Sequence, residues 1–208
     1  ITPLTMSNFI DKPHLAMSKI ISIVFHSGYG HTQKQAEAIA SGASEHETSK
    51  VNTISTDELK DLDSPHWSVL DGSDAIVMGA PTYMGSVSAE FKVFMELSSS
   101  RWQEMKWSGK LAAGFTNSGS QNGDKQNSLI QLLTFAAQHG MLWVSLGQMP
   151  GNNSSTGSID DVNRLGASLG AMAQSDIDVG PEDGPSKADL ESARIFGLHI
   201  SQTAHRIS

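Results

Sequence analysis

Short apolar runs that alternate with amphipathic helices constrain the fold of this chain more than any other feature of its sequence. The first run, Ile20 to Phe25, is rich in β-branched residues, which is typical of a strand buried on both faces. The segment after it carries Ala36, Ile39, Ala40 and Ala43 on one face of a predicted helix. This β-then-α order recurs along the chain and predicts βα units.

Five strands are predicted, and each is followed by helical or irregular sequence. After the first run they are Val51 to Ile54, Asp74 to Gly79, Lys110 to Phe115 and Met141 to Gly147. Residues 148 to 186 are rich in Gly, Ser, Asn, Asp and Pro and are predicted to be an irregular surface segment before a final helix. Such alternation predicts an α/β, flavodoxin-like doubly wound five-stranded parallel sheet of order 2-1-3-4-5, with helices on both faces.

The length and composition indicate one ordinary domain. The chain has 208 residues, of which 38% are apolar, so residues 17 to 208 are expected to form a single domain behind a tag-derived or disordered leader, residues 1 to 16. A net charge of -8 argues against binding to nucleic acid. The absence of cysteine excludes disulfides and thiol catalysis. Dispersed histidines predict no metal site, and the lack of a long apolar run predicts no membrane contact and a cytoplasmic location.

Two distinctive loops are expected to meet where the predicted strand order reverses, beyond strands 1 and 3. The first loop stands at a helix N-terminus, where unpaired N–H groups favour an anion such as phosphate. Gln33 stands where a dinucleotide fingerprint has its third glycine, and the loop has no Walker lysine. Taken alone, the loop is better interpreted as a capping turn than as a phosphate site. Its candidate ligands are Ser27, Gly28, Tyr29, Gly30, His31 and Thr32.

The second and third loops make a cofactor site the better interpretation. The second loop offers a rigid proline, polar groups and flat or soft side chains suited to a planar heterocycle, and comprises Pro81, Thr82, Tyr83, Met84 and Gly85. The third loop is dense in amides and hydroxyls, and comprises Thr116, Asn117, Ser118, Gly119, Ser120, Gln121 and Asn122. A phosphate loop, a ring platform and an amide collar together describe a site for flavin mononucleotide (FMN).

Five motifs in order, SGYGHT, GAPTYMG, SRWQEMKWSGKLAAGF, TNSGSQNG and QHGM, resemble the WrbA-type NAD(P)H:quinone oxidoreductases and the related flavodoxin-like FMN reductases. The resemblance covers about residues 19 to 146. It implies FMN as cofactor, with the three loops as its ligands and Gln138 at a flavin-facing position. It also implies NADH or NADPH as reductant, facing Tyr29, and a quinone or similar acceptor beside Trp102, which is expected at the same edge of the sheet as the flavin loops.

The resemblance has three departures. Tyr83 replaces an arginine common in the family, Gln138 replaces the first histidine of a pair, and the insertion between strands 2 and 3 is shorter. The implied function is two-electron reduction of quinones through flavin N5, in a homodimer or homotetramer, with no catalytic side chain assigned. Two alternatives are a flavodoxin that carries single electrons between proteins and a flavin-binding regulatory protein without useful turnover.

Overall fold

A computed structural model of the protein describes residues 18 to 207. The predicted leader, residues 1 to 16, and Met17 lie outside the described residues. No helix in the described range is both long enough and apolar enough to cross a membrane.

The described chain forms one sheet with helices on both faces. The strands are β1 (Lys19–Phe25), β2 (Ser49–Ser55), β3 (Ala75–Tyr83), β4 (Ser86–Val87), β5 (Leu111–Ser118), β6 (Leu142–Trp143) and β7 (Ala171–Gln174). The helices are α1 (His31–Ala43), α2 (His66–Asp71), α3 (Ala89–Leu97), α4 (Ser99–Gln103), α5 (Lys125–Gln138) and α6 (Lys187–Arg206), with a 3-10 helix at Thr56–Leu59. The order β2-β1-β3-β5-β6 is parallel throughout, which confirms the predicted doubly wound, flavodoxin-like sheet.

The fifth predicted strand differs from the observed structure. Instead of one strand from Met141 to Gly147, two short strands pair with different ends of β5: β6 pairs with Leu111 and Ala112, and β7 pairs with the stretch from Phe115 to Ser118. Between them the chain leaves the sheet and returns. The predicted continuous strand is therefore wrong, and β7 was hidden in the segment predicted to be irregular.

Strands β3 and β5 extend further than predicted, as far as Tyr83 and Ser118. Pro81 is tolerated inside β3 because the neighbouring strand, β1, ends before it reaches this position. The Gly79 carbonyl accepts from the His26 N–H at 3.0 Å, just beyond β1. Two residues further on, Pro81 faces the same side of the strand, where β1 no longer provides a partner for an N–H. The polar ends of β3 and β5 are thus held rigidly side by side.

The core lies in two layers, one on each face of the sheet. Ile21 and Ile23 point toward α1 and α6, whereas Val24 points toward α3 and α5. Helices α1 and α6 approach closely because a Cβ at Gly42 or Gly197 would lie 1.8 or 2.0 Å from a carbonyl oxygen of the other helix. This packing holds α1 against α6 on one face of the sheet.

Candidate functional site

A cavity of about 410 Å³ lies at the carboxyl ends of the central strands. All three predicted loops contribute to it. Its lining consists of Tyr29, His31, Thr32, Pro81, Thr82, Tyr83, Asn117, Ser118 and Gly119, together with Ser175, Asp176, Ile177 and Val179 from the segment after β7. A volume in this range suits a small-molecule ligand.

The first loop presents a run of free backbone donors. From Ser27 to Thr32 the backbone N–H groups have no acceptor among the described residues. Gly30 has a φ of +88°, which turns the chain into α1 at this point. The Thr32 side chain is buried and lines the cavity. Ser27 lies outside the lining, and its hydroxyl accepts from the Gln33 N–H at 3.1 Å. The loop therefore matches an anion site built mainly from backbone.

The second predicted loop is largely strand. Thr82 Oγ1 lies 2.7 Å from Thr116 Oγ1 and 2.8 Å from Ser128 Oγ, so a buried chain of hydroxyls ties β3 to β5 and α5. Met84 and Gly85, both with positive φ, form the tight turn of a hairpin between β3 and β4. Both lie outside the cavity lining, and Met84 is fully exposed. Of this predicted loop, Thr82 is therefore the residue that brings an aliphatic hydroxyl group to the cavity.

Two tyrosines stand at the mouth of the cavity. The rings of Tyr29 and Tyr83 pack edge to face, with centroids 6.3 Å apart. A Cβ at Gly28 would lie 2.5 Å from the Tyr83 hydroxyl, so glycine at position 28 leaves room for this ring. Burial, followed by the effects of Tyr29 and Glu90, raises the pKa of Tyr83. The Tyr83 phenol therefore stays protonated near neutral pH and can donate a hydrogen bond.

The third loop rests on a buried lysine. Asn117, Ser118 and Gly119 line the cavity, whereas Thr116 is buried behind it, and Gln121 and Asn122 face a separate open groove. The Nζ atom of Lys125 lies 2.7 Å from the Ser120 carbonyl oxygen, and burial lowers the pKa of Lys125 to about 8. The sequence gives no sign of the role of Lys125, because the first residue of a helix does not contribute to the apolar periodicity that predicts the helix.

A fourth wall of the cavity was not predicted. The segment after β7 passes over the first loop, and His31 Nε2 lies 3.1 Å from the Val179 carbonyl oxygen. Because a carbonyl can only accept, Nε2 carries the proton, and a neutral His31 ring has no second N–H for a phosphate. Lys34 and Glu182 add an ion pair at 3.8 Å. The sequence did not predict this wall, because it did not predict β7, the strand that leads directly into it.

Trp102 and Gln138 lie away from the cavity, in a different part of the structure. Helices α3 and α5 start at the cavity edge and run back along the sheet, so residues beyond their ends lie near the amino ends of the strands. Trp102 and Gln138 share a groove of about 290 Å³ there with Ser98, Phe135 and His139. The expectation that Trp102 lies at the flavin edge is therefore wrong, and neither residue reaches the cavity of its own chain.

Similarity to known proteins agrees with this geometry. A family model described as NADPH-dependent FMN reductase matches residues 68–155. Flavodoxin FldP of Pseudomonas aeruginosa is 42% identical over 191 residues, covering 92% of this chain and 99% of that protein. An NAD(P)H dehydrogenase (quinone) of Sinorhizobium fredii is 29% identical, covering 92% and 100%. The crystal structure of a flavodoxin, WrbA-like protein from Agrobacterium tumefaciens superposes with a TM-score of 0.72 at 39% identity, covering 92% and 100%.

Proposed function

The chain belongs to the family of WrbA-type quinone oxidoreductases and flavodoxin-like FMN reductases, and on that premise we propose that it reduces quinones by two electrons at the expense of NADH or NADPH. FMN is the cofactor, and when bound in this cavity it would supply the transfer of two electrons, as hydride, from the nucleotide to the acceptor.

The observation that carries this proposal is that a free backbone anion site and a cleft with hydroxyl and amide side chains lie in one cavity. The unpaired N–H groups from Ser27 to Thr32, at the start of α1, suit the terminal phosphate of FMN. Pro81, Thr82 and Asn117 form walls of the cavity that suit the edge of the ring system. The donor set therefore fits a flavin with a terminal phosphate.

The residues of the chain bind and orient the reactants in this proposal. Thr32 and the first-loop amides bind phosphate, and the N–H groups of the third loop favour negative charge on the ring edge beside them. Tyr29 and Tyr83 flank the open side, where the nucleotide and then the quinone would occupy the same place in turn. No side chain of the cavity needs to act as an acid or base.

A single-electron carrier is the second candidate, and two observations favour it. The relative with 42% identity is named a flavodoxin. Asp176, at the cavity wall, and Asp178 add negative charge beside the site, which would disfavour an anionic reduced ring. Both carboxylates are solvent-exposed, however, so water and salt screen their effect on the ring. We therefore keep two-electron reduction as the primary proposal.

Cofactor identity is the first experiment. Apoprotein offered equal FMN and FAD should retain FMN, because the first loop suits a terminal monoester phosphate. Heat release followed by chromatography identifies the bound flavin, and retention of FAD would refute this part of the proposal.

Turnover is the second experiment. Under anaerobic conditions the FMN-loaded protein should consume one equivalent of NADH or NADPH for each quinone reduced. Negligible turnover with every benzoquinone and naphthoquinone offered would contradict the proposal, and would favour the carrier or a flavin-binding protein without useful turnover.

A further inference from the structure

Lys125, the first residue of α5, is fully buried although it carries an ammonium group. Its Nζ lies 2.9 Å from Ser118 Oγ, 2.7 Å from the Ser120 carbonyl oxygen and 3.0 Å from the Gln121 carbonyl oxygen. Within the described residues no carboxylate lies within 4.0 Å of this ammonium, so its partners are one hydroxyl and two carbonyls. The positive charge of Lys125 is therefore solvated by the third loop without being neutralised.

These contacts determine which way the loop amides point. In a planar trans peptide the C=O and the following N–H point in opposite directions. Because the carbonyls of Ser120 and Gln121 face Lys125, the N–H groups of Gln121 and Asn122 point away from it. Neither N–H has an acceptor among the described residues. Lys125 thus fixes the backbone of the third loop, with these two amide donors on the side away from the ammonium.

The backbone makes a tight return to bring Lys125 under the loop. Gly123 and Asp124 have φ values of +56° and +54°, so two successive residues adopt the left-handed conformation. A Cβ at Gly123 would lie 2.1 Å from Ser118 Oγ, which means that only glycine fits against the hydroxyl that Lys125 contacts.

A buried ammonium without a carboxylate partner is unfavourable unless something else offsets it. Ser118 and Gly119 lie between Lys125 and the cavity, so a negatively charged group in the cavity would face this charge across a single layer of backbone. The first loop accounts for the phosphate of FMN at α1. The ring is therefore the part of the cofactor that adjoins the third loop, and its reduced form carries the negative charge.

We propose that Lys125 is a positioning residue, which holds the third loop in place beside the flavin ring through its contact with Ser118 and, by its charge, favours the reduced cofactor over the oxidised one. The inference rests on the proposed FMN site. It adds a residue that touches neither the cofactor nor the acceptor.

The test compares Lys125→Met with Lys110→Met. Lys110 is a matched control because its Nζ also donates to two backbone carbonyls, those of Asp71 and Ser73, but at the opposite end of β5. The readouts are the dissociation constant of oxidised FMN, from quenching of flavin fluorescence, and the midpoint potential of bound FMN, from anaerobic titration against a reference dye.

Lys125→Met should weaken the binding of oxidised FMN about tenfold and the binding of reduced FMN about a hundredfold. The tenfold difference between the two lowers the two-electron midpoint potential by about 30 mV. Lys110→Met should change neither quantity. Wild-type FMN affinity and potential in Lys125→Met, or equal shifts in both variants, would overturn the proposal. Failure of the wild-type protein to bind FMN would instead refute the proposed function itself.

A pH titration of the wild-type protein provides a second test if Lys125→Met does not fold. Asp189 and Arg164, which pair with each other, are the charged groups that act on Lys125, in opposite directions. An anionic ligand favours protonated Lys125, so affinity for reduced FMN should fall as the pH rises from about 8 to about 9.5, where the free protein loses this proton. A flat profile over this range would contradict the proposal.

Discussion

At the scale of single residues, Thr32 offers the most direct test of the phosphate loop. Its side chain is 2% exposed and lines the cavity at the start of α1. Thr32→Ala should weaken FMN binding by about 1 to 3 kcal/mol, because a buried phosphate oxygen would lose a charge-assisted hydrogen bond. Fluorescence titration measures the change. Thr32→Ser, which keeps the hydroxyl, is the control, and equal affinities for all three proteins would place the phosphate elsewhere.

His139 is a residue whose effect depends on pH. The Ser98 hydroxyl donates to the Met95 carbonyl oxygen at 2.7 Å, so it accepts from His139 Nε2–H at 3.1 Å, and Nδ1 has no partner among the described residues. Burial lowers the pKa of His139 from 6.5 to about 4. The unfolded chain therefore binds this proton at a higher pH than the folded protein does, and stability should fall as the pH falls from about 7 to about 4.

The loss from His139 should reach about 3 kcal/mol at pH 4. Urea unfolding of the wild type and of His139→Gln at several pH values isolates this contribution from those of other histidines and the carboxylates. Parallel pH profiles for the two proteins would mean that His139 is charged in the folded state or titrates normally.

At the scale of secondary structure, the excursion between β6 and β7 depends on one buried ion pair. Arg164 donates to both carboxylate oxygens of Asp189, at 2.9 and 2.7 Å, and Asp189 is 2% exposed. Arg164→Met should lower the free energy of unfolding by about 3 to 5 kcal/mol, because it leaves a buried carboxylate without its cation. Arg194, which pairs with Glu191 on the surface, is the control, and Arg194→Met should lose about 1 kcal/mol or less. Equal losses in urea unfolding would contradict this account.

The sequence predicted the secondary structure best where apolar runs are long. The buried runs of β1, β3 and β5 have the composition of central strands, and the helices between them are amphipathic, so the sheet order could be inferred. The four residues of β7 are too few for a periodic signal, and its buried residues, Ala171 and Ala173, are not the β-branched residues typical of a strand. The wall formed by Asp176 and Val179 could not be predicted without that strand.

The ends of the strands were also beyond prediction. The sequence predicts that the third strand ends at Gly79 and that Pro81 lies in the loop after it. In the structure β3 continues past Pro81, because the neighbouring β1 ends first and offers no partner for an N–H at that position. Lys125 gave no signal at all, since only the left-handed turn at Gly123 and Asp124 reveals that its ammonium returns beneath the third loop.

At the scale of the whole molecule, Trp102 tests whether a neighbouring subunit completes the site. Its side chain is 47% exposed in the groove with Gln138, at the end of the sheet opposite its own cavity. We propose that this groove faces the cavity of another subunit in a homodimer or homotetramer. Trp102→Ala should then leave FMN content and reduction by nucleotide unchanged, and raise KM for quinone several-fold, since stacking contributes about 1 kcal/mol.

Trp107→Ala is the control for this prediction. Trp107 is fully buried against Phe94 and Phe135, so its loss should reduce stability by about 3 to 5 kcal/mol and lower flavin content with it. If Trp102→Ala behaves in the same way, with quinone KM unaltered, Trp102 is a structural residue and the shared site is refuted.

The central claim is that this cavity makes FMN a two-electron cofactor, and stepwise anaerobic reduction of the FMN-loaded protein tests it most directly. NADH or NADPH is added in fractions of an equivalent while the flavin absorption spectrum is recorded. We expect one equivalent of nucleotide to convert the oxidised spectrum directly into the fully reduced one, and one equivalent of quinone to restore it. Accumulation of a stable one-electron spectrum, or no reduction by either nucleotide, would contradict the claim and identify the protein as a carrier of single electrons or a flavin-binding protein without turnover.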